Sequence, residues 1–115
     1  MKFKKKYSFE DRINESTRII KKYPYRIPVI CEPAYNCTFN LDKIKYLVPS
    51  EITLAQFLYT IRKRMKLDES KAIFIFINNQ IMVPPSELFS EIYHKYKEKD
   101  NFLYMSFSGE NTFGK

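Results

Sequence analysis

Glycine occurs twice in this chain, cysteine twice and histidine once, and long apolar runs are missing. With two glycines, repeats built on glycine turns and a glycine-rich phosphate loop are both excluded. Cys31 and Cys37 are too few for a disulfide framework and fit a reducing, cytosolic setting. Cys31 is expected as a buried core thiol, and Cys37, in a loop, lacks a neighbouring base that would make it a nucleophile. His94 has no second histidine, no cysteine at ligand spacing and no adjoining carboxylate, so neither a metal centre nor acid–base catalysis is expected of it. No enzymatic constellation remains. No stretch approaches the ~20 apolar residues that span a bilayer. The start, Met1-Lys2-Phe3-Lys4-Lys5-Lys6, lacks the apolar centre of a secretory signal.

What is present is a folding composition. The chain has 115 residues, 44% hydrophobic and 17% aromatic, enough for one domain around one core. The formal charge is +7, and residues 1–26 hold nine basic side chains against Glu10, Asp11 and Glu15. The excess therefore sits at the start, and such a face favours acidic partners. Nucleic acid is the weakest of these readings, because base readout needs more than a basic face.

Hydrophobic spacing divides the chain. Residues 1–7 read as a basic lead-in. Ser8 is placed to cap a helix with Glu10 and Asp11 in its first turn, a stripe of Phe9, Ile13, Thr17 and Ile20, and an end before Pro24. Arg26 to Glu32 alternates as a strand, with Ile27, Val29 and Cys31 on one face and Pro28, Ile30 and Glu32 on the other. Pro28 predicts a missing ladder bond or a bulge. Residues 33–40 read as a loop. Thr53 and Gln56 form a capping box for a helix whose buried stripe is Leu54, Phe57, Leu58, Ile61 and Met65. Ala72 to Ile77 is apolar throughout and reads as a central strand covered on both faces. Asn78-Asn79 is a turn, with Ile81 to Val83 as a short return strand. After Pro84-Pro85, Ser86 is expected to cap a helix with a stripe of Leu88, Phe89, Ile92, Tyr93 and Tyr96. Phe102 to Phe107 is the last strand, and Ser108 to Lys115 reads as a mobile polar tail.

The segment Lys43-Ile44-Lys45-Tyr46-Leu47-Val48-Pro49-Ser50 is the most informative. It alternates as a strand until proline stops it. Two lysines are a common protection of an exposed sheet edge, while the bulky apolar residues between them suit the edge to accept a partner strand. Strand, strand, crossing helix and further strands make an α+β chain of β-grasp plan. The units are an N-terminal helical extension (1–24), a core (25–107) and a flexible tail (108–115).

Specific residues then point to a family. Met1-Lys2-Phe3, Lys21-Lys22-Tyr23-Pro24 with Arg26-Ile27-Pro28-Val29-Ile30, Leu41-Asp42-Lys43 with Lys45-Tyr46-Leu47-Val48-Pro49-Ser50, Gln56-Phe57 with Ile61-Arg62-Lys63-Arg64, Phe76-Ile77-Asn78-Asn79, Phe102-Leu103-Tyr104 and Phe113-Gly114 occur in one order from end to end. In these stretches the chain resembles the ubiquitin-like modifiers of autophagy, the GABARAP/light-chain-3 family, and within it the GABARAP branch. The resemblance implies a ubiquitin-like β-grasp preceded by helices. It implies that a cysteine protease removes Lys115 after Gly114. Activating and conjugating enzymes would then join Gly114 to phosphatidylethanolamine, with no other cofactor and no metal. The protein would be cytoplasmic and, once lipidated, autophagosomal or vesicular.

The resemblance also implies that the edge strand receives acidic aromatic-x-x-aliphatic peptides of cargo receptors and adaptors. Carried over by position, the aromatic pocket is Glu15, Ile19, Pro28, Ile30, Lys45, Leu47 and Phe102. The aliphatic pocket is Tyr46, Val48, Pro49, Ile52, Phe57 and Thr60. Arg26, Lys43, Lys45 and Arg64 would meet the acidic residues. Thr60 departs from the family's usual leucine, which implies a shallower or wetter second pocket. The run Lys4-Lys5-Lys6 suits anionic membrane or a tubulin-like acidic surface, beside the plainer reading of a solvated arm. An unlipidated peptide-binding trafficking or microtubule adaptor is the alternative function.

Overall fold

A computed structural model describes residues 1–34, 37 and 40–109. Its elements are α1 (Lys2–Lys6), α2 (Phe9–Lys22), β1 (Arg26–Pro33), β2 (Lys45–Pro49), α3 (Leu54–Met65), β3 (Phe74–Ile77), α4 (Phe89–Tyr96) and β4 (Leu103–Ser108). The four strands form one mixed sheet in the order β2-β1-β4-β3. β1 runs antiparallel to β2 and parallel to β4, and β3 runs antiparallel to β4.

Alternation along β1 divides the interior in two. Ile27, Val29 and Cys31 join Leu103, Met105 and Phe107 of β4 in the main core, closed by Leu54, Phe57 and Ile61 of α3 and Phe89 and Ile92 of α4. The opposite face carries a smaller cluster of Ile30, Phe102 and Tyr104, covered by Phe3 of α1 and Ile19 of α2. The N-terminal helices thus lie across the sheet from α3 and α4. Burial of large apolar side chains at about 25 cal/mol per Å² is the main stabilising term for both layers.

Local rules account for several boundaries. Ser8 accepts the N–H of Asp11, and Thr53 with Gln56 forms the full reciprocal capping box. α3 ends on Lys66, which takes the left-handed conformation at φ 56°. Pro28 falls opposite Leu47. The Cys31 N–H donates to Ile44 O at 2.7 Å. By alternation Cys31, Val29 and Ile27 then bond across to β2, so the missing N–H of Pro28 costs that pair nothing.

Five expectations require correction. Residues 2–6 are helical, because the Glu32 carboxylate accepts the N–H groups of Lys2 and Phe3, both at 3.1 Å. α2 buries Ser16 and Ile19, leaving Phe9, Thr17 and Ile20 exposed. Polar contacts turn it: Ser16 Oγ donates to Asp100 O at 2.6 Å, and Arg12 pairs with Asp100 at 2.6 Å. The apolar segment ending at Ile77 is an edge strand that begins at Phe74, since it stands last in the sheet order with β4 as its neighbouring strand. The return strand reduces to a single bridge between Ile77 and Ile81, after a turn with Asn78 and Asn79 at positive φ. α4 starts at Phe89 with Leu88 as an N-cap that makes no side-chain bond, and Ser86 lies in the preceding turn.

Candidate peptide-docking edge

β2 is the free edge next to β1, and its register fixes what the edge offers. Lys45 and Leu47 lie opposite Ile30 and Pro28. These are the positions that do not bond to β1, so their N–H and C=O groups point to the open side. Pro49 ends the strand without a donor. The strand begins at Lys45, so Lys43 precedes it.

The structure brings the apolar members of the first set together. Ile19, Ile30 and Phe102 share one cluster, with Leu47 packed against it and Pro28 paired to Leu47. Glu15 projects from α2 to accept from Lys45 Nζ at 2.6 Å and also lies 3.6 Å from Arg18. Sequence reading missed Phe3, which is buried in the same cluster and meets Phe102 edge to face at 5.3 Å. A lone aromatic between lysines was its only local signal.

In the second set, Tyr46, Val48 and Phe57 belong to the main core, with Ile52 packed against it. Tyr46 and Phe57 make an edge-to-face pair at 5.8 Å. Pro49 and Thr60 are exposed, and Thr60 Oγ1 donates to Gln56 O at 3.3 Å, which supplies the hydroxyl with a partner inside α3. Burial first, then the nearby Cys31, pushes the Tyr46 phenol up to about 12, with Arg64 opposing.

The four cations are all engaged. Arg26 donates to Leu47 O at 3.0 Å, which is one of the outward-facing carbonyls. Arg64 forks onto both oxygens of Asp42 at 2.9 and 2.7 Å, and its hydrogen bonds hold the Asp42 carboxyl below its ordinary value. Lys43 Nζ sits 5.0 Å over the Tyr46 ring, and the Arg64 guanidinium lies 6.0 Å from the same ring. The arrangement therefore combines an open backbone edge, two apolar clusters and a band of positive charge.

No group of metal-ligating side chains occurs among the described residues, and none of their helices is long and apolar enough to cross a membrane. Gly114 and Lys115 lie outside the described residues, as does most of the tail assigned to 108–115.

Comparison with known proteins is consistent along the chain. The family model described as "Autophagy protein Atg8 ubiquitin like" matches residues 11–114. Autophagy-related protein 8 of Schizosaccharomyces pombe is 56% identical over 113 residues, covering 97% of this chain and 93% of that protein. Autophagy-related protein 8e of Arabidopsis thaliana is 54% identical over 113 residues, covering 97% and 92%. The crystal structure of Trypanosoma brucei ATG8 superimposes with a TM-score of 0.90 at 42% identity, covering 99% of this chain and 98% of that one.

Proposed function

Because the chain belongs to the Atg8 family of ubiquitin-like autophagy proteins, a family of modifiers rather than enzymes, we propose that it is processed after Gly114, joined there to phosphatidylethanolamine, and used to recruit motif-bearing receptors to autophagosomal membranes. The fold is the ubiquitin-like α+β fold with an N-terminal helical part. The glycine fits the chemistry: a terminus without a side chain can enter a narrow protease channel and reach a thioester without steric conflict. Two acyl chains then anchor the protein, at about 0.8 kcal/mol per buried CH₂. The unconjugated form is cytoplasmic in this reading.

The observation that carries the recruiting half is the open edge of β2, with Lys45 and Leu47 facing outward between the Ile19–Ile30–Phe102 cluster and the Tyr46–Val48–Phe57 cluster. An extended peptide adds a strand there. Its aromatic residue enters the first cluster, its aliphatic residue the second, and its acidic residues meet Arg26, Lys43, Lys45 and Arg64. Micromolar affinity, about −8 kcal/mol, is the expected scale.

Two measurements test the two halves. Intact mass after incubation with the family's cysteine protease is expected to show loss of Lys115, and Gly114→Ala is expected to block it. Equal processing of both would remove the conjugation reading. Calorimetry with an acidic aromatic-x-x-aliphatic peptide is expected to give binding that Lys45→Glu/Leu47→Ala abolishes. No binding by the natural chain would remove the docking reading.

A further inference from the structure

The cations assigned to acidic-residue contacts are not idle. Lys45 and Arg64 each carry an internal carboxylate, Glu15 from α2 and Asp42 from the segment that precedes β2. Glu15 lies on α2 beside the first cluster. Asp42 lies ahead of β2, and its partner Arg64 sits by the Tyr46 ring of the second.

We propose that Glu15 and Asp42 determine the specificity of this edge: each holds a docking cation in the free protein and must be displaced by a carboxylate or phosphate of the incoming peptide, so that peptides are ranked by acid density. This rests on the docking reading above and adds to it which side chains set the threshold.

The exchange takes place at the water boundary. The side chains are 41% and 25% exposed for Lys45 and Glu15, and 35% and 68% for Arg64 and Asp42. At such exposure one ion pair is worth little, so trading an internal carboxylate for a single carboxylate of the peptide is close to neutral. A peptide without acid leaves both pairs in place and binds through its backbone and two anchors alone. A peptide with several carboxylates, or with a phosphate of about −1.5 to −2 charge and three acceptor oxygens, offers each cation more than it gives up.

Both carboxylates are also easy to release. Glu15 keeps Arg18 within 3.6 Å when Lys45 leaves, and Asp42, mostly exposed, returns to water. Neither is stranded as a buried charge, so displacement is reversible and adds no large barrier.

The test uses the full chain and three peptides sharing one aromatic-x-x-aliphatic segment, preceded by three neutral residues, three carboxylates or a phosphoserine. Calorimetry is run on the natural chain, Asp42→Asn, Glu15→Gln and the double variant, with thermal melts to show that each is folded. Removing a placeholder is expected to raise the acidic-to-neutral affinity ratio about two- to fivefold per site. The gain is expected to shrink as salt rises, since exposed pairs are screened. A ratio that stays constant or falls in both variants, while the natural chain binds, overturns the placeholder role and leaves docking intact. Failure of the natural chain to bind any of the three overturns docking itself, and this inference with it.

Discussion

Phe3 packs edge to face against Phe102, with ring centroids 5.3 Å apart, and that contact joins the first helix to the Ile19–Ile30–Phe102 cluster beside β2. Phe102 is fully buried, so α1 covers that cluster from the side of the N-terminal helices. Phe3→Ala is expected to cost about 3 kcal/mol, the low end for deleting a buried phenylalanine, because a five-residue helix can peel away and let the site relax. Urea unfolding measures the loss. Hydrogen exchange is expected to show early opening of residues 2–6, and uniform protection across α1 and α2 would contradict local release.

A second latch ties α2 to the turn before β4. Asp100 is 1% exposed and accepts from Arg12, from the Tyr104 hydroxyl and from the Phe102 N–H. Asp100→Ala leaves Arg12 without its counter-charge and two donors without an acceptor, so a cost of about 3–5 kcal/mol is expected. Replacing both partners, Arg12→Met with Asp100→Leu, is expected to recover only the share owed to the unpaired guanidinium, since the Tyr104 hydroxyl and the Phe102 N–H still lack their acceptor. Denaturant midpoints of the two singles and the double decide the matter, and strict additivity would show that the pair is not coupled.

These two latches also explain what sequence could and could not reveal. The alternation of β1 and β2, the Ser8 cap and the Thr53–Gln56 box are local, and each is read within a few residues. α1 was hidden because its cap, Glu32, lies 29 and 30 residues away from the N–H groups that it receives. The apolar stripe of Phe9, Thr17 and Ile20 misled because Asp100, 84 residues from Ser16, selects a polar face of α2 to bury. β3 looked central because its residues are apolar, but strand order is set by long-range pairing and not by composition. Family resemblance named apolar residues beside β2 that the fold gathers into two clusters, Ile19, Ile30 and Phe102 in one and Tyr46, Val48 and Phe57 in the other. The Asp42–Arg64 pair has no such local or family signal, since its members sit 22 positions apart, one in the segment before β2 and the other on α3.

Buried phenols predict alkaline behaviour. The Tyr46 hydroxyl is pushed up to about 12, mainly by burial, and Tyr104 and Tyr93 are also raised, again mainly by burial. A phenol whose folded value lies above its unfolded value of about 10 favours the folded state below pH ~10. That contribution is lost as pH rises from about 10 towards 12. Stability is therefore expected to hold up to pH ~10 and to fall above it. Phenolate absorbance followed alongside circular dichroism is expected to show a late group of tyrosines ionising together with unfolding. Complete ionisation of every tyrosine before any loss of ellipticity would contradict it.

Thr60 supplies the last prediction. Its hydroxyl is bonded to Gln56 O at 3.3 Å, one turn back along α3, so the methyl group is the part left to meet a guest. It follows Phe57 by three positions on the same helix face, which places it at the rim of the second cluster. Thr60→Leu would enlarge the apolar rim by more than a methylene. At about 0.8 kcal/mol per fully buried CH₂, partial burial against an aliphatic guest is expected to tighten binding by about three- to fivefold. Thr60→Val keeps the shape and drops the back-bond, so its effect on stability is expected to stay within about 0.5 kcal/mol. Calorimetry with peptides ending in leucine and in alanine separates the possibilities. A gain confined to the leucine peptide places Thr60 in the pocket. Equal affinity of Thr60→Leu and the natural chain for the leucine peptide places it outside, and the second pocket then ends at Phe57.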